Sequence, residues 1–69
     1  MSDLTDAQRL AIEDAAHLAR RIGHAAAVVM HEKANGRGED YKAADSWKPM
    51  ERGWEVVWLV SSTGKVVRQ

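Results

Sequence analysis

Gly23-His-Ala-Ala-Ala-Val-Val-Met-His-Glu-Lys33 is the stretch on which the fold turns, because it reads in two ways. Ala25 and Val29 stay in helical phase with Leu18 and Ile22, and the alanines and the Glu32-Lys33 pair favour helix locally. That reading gives one long helix, or a helical hairpin, over 5–34 followed by a β-hairpin. Against it, Arg20 and Arg21 followed by Gly23 have the pattern of a cationic last turn closed by a C′ glycine. The Val28-Val29-Met30 centre then suits a pleated strand over about 25–32. A lone two-stranded hairpin is marginal in water, so a third strand tips the balance to strand.

Upstream, Thr5 followed by Gln8 forms a capping-box pattern, which starts a helix over about 5–22. Its apolar stripe runs through Leu4, Ala7, Ala11, Ala15, Leu18 and Ile22, widened at the start by Leu10 and Ile12. The small side chains at Ala11 and Ala15 would admit another backbone closely, either a sheet of this chain or the same helix of a second copy. Downstream, Trp54-Glu-Val-Val-Trp-Leu-Val60 and Lys65-Val-Val-Arg68 flank a Ser-Ser-Thr-Gly turn, a β-hairpin over 54–68. Strict alternation puts Trp54, Val56, Trp58 and Val60 on one face and Glu55, Val57 and Leu59 on the other. Both faces are then apolar, so the second must meet a partner subunit, a loop or a ligand. Trp58 is expected in the core and Trp47 outside it.

Between these elements the polar segment 35–53 holds the only proline, Pro49, and reads as loop, with a single helical turn over 41–47. The expected class is therefore α+β: an N-terminal amphipathic helix packed on a small antiparallel sheet that ends in the C-terminal hairpin, a single domain over 1–69.

Composition narrows the chemistry. At 69 residues, without cysteine or phenylalanine and with eleven alanines, the core is small and has no disulfide to staple it. Self-association as a homodimer is the expected reinforcement. Ten basic and ten acidic residues cancel, so no global field draws the chain to nucleic acid or an anionic membrane. No apolar run approaches the ~20 residues of a membrane span, and no export signal is visible, so a cytoplasmic location is expected.

His17, His24 and His31 recur every seven residues, a column only if one helix carries all three, and even then too widely spaced to share a metal. Serines and threonines sit at termini and turns, with no nucleophile elbow. Gly36-Arg-Gly38 is too short for a phosphate cradle. No catalytic residue, metal or cofactor is assigned, and the chain reads as a non-enzyme.

Arg37, Tyr41, Trp47, Arg52 and Trp54 gather the residue types that dominate interface hot spots, and they are the candidate partner-binding residues. The expected function is a protein–protein interaction module, a small bacterial or phage accessory protein that binds and modulates or inhibits a host protein complex. The alternative is a single-stranded nucleic-acid binder, since Trp47-Lys48, Arg52 and Trp54 interleave rings and cations. The tokens Leu4-Thr-Asp-Ala-Gln8, Trp54-Glu-Val56 and Thr63-Gly-Lys-Val-Val67 resemble small PepSY-type domains, which implies the same helix-on-sheet outline. The segment 35–53 departs from that pattern, and no function is carried over from it.

Overall fold

The capping box forms as its spacing predicts: the Gln8 amide donates to Thr5 Oγ1 at 3.1 Å, and the Thr5 amide donates to Gln8 Oε1 at 2.9 Å. From there α1 runs Asp6–Ile22 and stops at Gly23, whose φ of 78° lets its amide cap the Ala19 carbonyl. Residues 4–32, 38–46 and 52–69 are described by the computed structural model.

The deciding stretch is a strand. β1 spans Ala26–Glu32, β2 Glu39–Asp45, β3 Trp54–Val60 and β4 Val66–Arg68. They form one antiparallel sheet in the order β2-β1-β3-β4, with α1 packed on one face. The long-helix alternative over 5–34 is thereby excluded, since the chain leaves helix at Gly23 and pairs on both sides from Ala26 onward.

The loop reading of 35–53 is corrected over its middle: Glu39–Asp45 is a full strand, paired with β1 from Ala26↔Asp45 to Glu32↔Glu39. The helical turn proposed for 41–47 is therefore absent from 41–45. Its polarity misled because β2 is an edge strand, where charges such as Asp40 and Lys42 discourage further pairing. Its pairing also gives β1 a neighbour on each side, the condition under which β1 outcompetes helix.

The alternation expected along β3 is also corrected. Val28 pairs with Trp58 but Val29 pairs with Val56, so Val57 is an extra residue and the strand carries a β-bulge. Trp58 and Val60 consequently face α1, while Trp54 and Val56 lie on the opposite face with Leu59. The two tryptophans do not share a face.

The main core lies between α1 and the sheet, while Ala27 and Val29 are buried on the opposite face. Ala11, Ala15 and Ala19 meet Ala26, Val28, Trp58 and Val60, with Leu4, Ile12, Ala16, Leu18, Tyr41, Ala43 and Val57 around them. Trp58 is only 8% exposed, as its core placement required. The alanine stripe admits the sheet of this chain. Leu10, by contrast, is 60% exposed and does not widen the buried stripe. His24 Nε2 lies 2.8 Å from Asp45 Oδ1, and Ser46 Oγ donates to the Ala25 carbonyl, so the turn after α1 is pinned to the end of β2.

Candidate interaction groove

The helix lies chiefly over β2 and β1 and touches β3 less. Small side chains explain the position, because alanines on both surfaces let helix and sheet approach closely there. Toward the Glu39–Tyr41 end of β2, Met30 of β1 and the facing parts of β3 and β4, the same face is left open as a groove of about 930 Å³. Gln8 and Ile12 on one flank of α1, with Leu4 just before its cap, make its wall, and Met30, Trp58 and Val57 line its floor. Val66 and Arg68 border its outer side, and Glu39 and Glu55 supply acidic groups.

Tyr41 stands inside this groove and links its two sides. Gln8 Nε2 donates to the Tyr41 hydroxyl at 2.9 Å, and that hydroxyl donates to Glu39 Oε1 at 3.0 Å. The capping residue that starts α1 thus also tethers it to β2. The Tyr41 ring lies 6.3 Å from that of Trp58, tilted by 36°. Burial pushes the Tyr41 phenol above its ordinary value; the Gln8 bond opposes this and the Glu39 carboxylate adds to it.

The remaining expected partner-binding residues do not join Tyr41. Trp54 is on the face away from α1, with the His31 ring 5.1 Å from its own and Lys42 Nζ 4.4 Å above its centre. Arg52 is exposed in the turn that leads into β3, near Trp54 rather than the groove. Arg37 and Trp47 fall outside the described residues, as does the expectation that Trp47 avoids the core. Leu4, Gln8, Ile12, Val57, Val66 and Arg68 were missed as site residues. The four-residue spacing of Leu4, Gln8 and Ile12 is a signal for three of them, but Leu4 and Ile12 read as part of the core stripe and Gln8 as half of the capping box.

The three histidines stand on three different elements: His17 on α1, His24 in the turn after it and His31 on β1. Among the described residues, no three His, Cys, Asp or Glu side chains gather as a metal-sized cluster. Thr5 caps α1, Ser46 donates to a backbone carbonyl, and Ser61 accepts from the Lys65 amide and shares a hydrogen bond with Thr63. Among the described residues no helix is long and apolar enough to cross a membrane.

Comparison with protein-family models, curated proteins and solved structures yields no match to this chain, the PepSY-type likeness included. Any functional reading rests on the residues themselves.

Proposed function

We propose that this chain is a non-catalytic module that binds another protein through the groove between α1 and the outer half of the sheet. One observation carries the reading: on a small domain that has few large apolar side chains, a groove bordered by Leu4, Ile12, Met30 and Val57 stays open beside exposed Val66. Thr5, Ser46, Ser61 and Thr63 spend their hydroxyls on capping and turn bonds, which supports a binding role over a catalytic one. Modulation or inhibition of a host complex is the form of binding that its size suits.

The test is affinity capture with the full chain, identification of the retained protein and reconstitution from purified components. Val66→Glu and Ile12→Gln should each abolish the reconstituted complex, while Leu10→Ser, an exposed site off the groove, should leave it intact. A complex that survives both groove variants would defeat the reading. Self-association is the competing use of the groove: light scattering that gives twice the monomer mass, reverting to the monomer with Val66→Glu, would assign it to a second copy.

A single-stranded nucleic-acid reading draws on Trp54, His31 and Lys42 on the opposite face, with Arg52 in the turn before β3. Lys42 already covers one side of the Trp54 ring, which removes part of the stacking platform such binding needs. Binding to mixed single strands at low salt, lost with Trp54→Ala, would revive it.

A further inference from the structure

β2 is an edge strand whose inner side pairs with β1 along all seven of its residues. Among the described residues nothing pairs with its outer side. Such an edge accepts a further strand through its backbone N–H and C=O groups, and charged side chains on it restrict which strand can be laid there. Asp40 and Lys42 are those charges, both on the face away from α1, while Glu39, Tyr41 and Ala43 face the helix.

A second copy of the chain supplies a strand that meets the restriction. Two β2 edges related by a two-fold axis normal to the sheet run antiparallel, with the same residue of each copy on the axis. With Lys42 there, lysine opposes lysine and Glu39 opposes Asp45; with Asp40 there, aspartate opposes aspartate. With Ala43 there, Lys42 opposes Ala44 and Asp40 opposes Ser46, so no charge is matched. With Tyr41 on the axis, Asp40 of each copy opposes Lys42 of the other and Glu39 opposes Ala43. Of these registers only the last sets unlike charges against each other and no like ones. Lys42 Nζ, now 4.4 Å from the centre of the Trp54 ring, would turn to the facing carboxylate. The charges therefore select the register, and backbone bonds supply the association.

The helix agrees with this axis. Gln8 is bonded to Tyr41, which sets the first turns of α1 beside it. Leu10, 60% exposed, lies on the flank of α1 opposite Gln8 and Ile12. Those two residues border the groove, so the Leu10 flank looks outward past β2. The two-fold axis brings both Leu10 flanks together and covers an exposed apolar side chain on each copy.

We infer that a second copy of this chain docks edge to edge along β2, with Tyr41 on the two-fold axis, joining two four-stranded sheets into one. The joint lies at the edge of the sheet opposite β4 and does not depend on the groove-binding reading.

Sedimentation equilibrium of the full chain from micromolar to millimolar concentration tests it, and should give a dimer. Asp40→Lys and Lys42→Asp, each checked for fold by its amide spectrum, should each weaken that dimer at least about tenfold, because each creates two like-charge pairs. Mixed in equal amounts they should dimerise with each other, since the two lysines of one copy then face the two aspartates of the other. The double variant Asp40→Lys/Lys42→Asp should dimerise as the unaltered chain does, which keeps the test intact if a single variant fails to fold. Val66→Glu, in the groove, should leave the dimer unchanged. A monomer throughout, a dimer indifferent to the single swaps, or no recovery in the mixture and the double variant would overturn the inference. So would a dimer that Val66→Glu dissociates, because the groove would then be the joint.

Discussion

At one end of the helix–sheet layer, Ala11, Ala15 and Ala19 close on Ala26, Val28, Trp58 and Val60, whereas at the other Leu4, Gln8 and Ile12 border Met30, Tyr41 and Glu55–Val57 and a groove remains. The difference follows from side-chain size. Alanine against Ala26 and Ala43 brings the surfaces close and leaves no room, and that close approach on one half fixes the helix away from the other. Trp58 then belongs to both, a member of the buried core that also lines the groove. Stability and recognition are divided between the halves but joined at this residue.

Removing the shared residue should have the largest effect. Trp58→Ala should lose about 3–5 kcal/mol of unfolding free energy, read by denaturant melts, because it empties a nearly closed site. Unchanged stability would move Trp58 out of the core. Next, added volume should separate the halves: Ala15, with no exposed surface, should not accept leucine without a cost of about 1–3 kcal/mol. Val66→Leu, at a site 43% exposed, should change stability by less than about 0.5 kcal/mol. Equal costs at the two sites would abolish the distinction between closed and open halves.

The tether across the boundary is smaller. Tyr41→Phe removes the bonds to Gln8 and Glu39 and should cost about 1 kcal/mol. The pH dependence has a definite sign. Burial raises the phenol in the folded state, so the folded chain holds this proton more tightly than the unfolded one. Tyr41 therefore contributes stability below the ordinary phenol range near pH 10 that is lost as pH rises through the higher folded value. Chemical melts across that alkaline range should show a decline that Tyr41→Phe lacks.

Local chemistry made much of the closed half legible. Thr5 and Gln8 announced the start of α1, Arg20, Arg21 and Gly23 its end, and Val28-Val29-Met30 the central strand. The C-terminal hairpin followed from its valines and the turn at Gly64, where φ is 92°. β2 was not legible, because Glu-Asp-Tyr-Lys-Ala-Ala-Asp carries the charge of a loop and becomes a strand only through its pairing with β1. The bulge at Val57 was hidden for a similar reason, since a register shift belongs to two strands at once. It separated Trp54 from Trp58, and with them the expected site. Tyr41 was found among the candidate residues for its residue type, but its bond to Gln8 joins residues 33 positions apart and no local pattern encodes it.

Amide hydrogen exchange of the chain alone and bound to its reconstituted partner tests the open half most directly. The groove-binding account predicts slowed exchange confined to 54–57, 66–69 and the flank of α1 around Gln8 and Ile12. Protection centred on the outer edge of β2 or on the exposed Leu10 side of α1, with the groove unchanged, would contradict it.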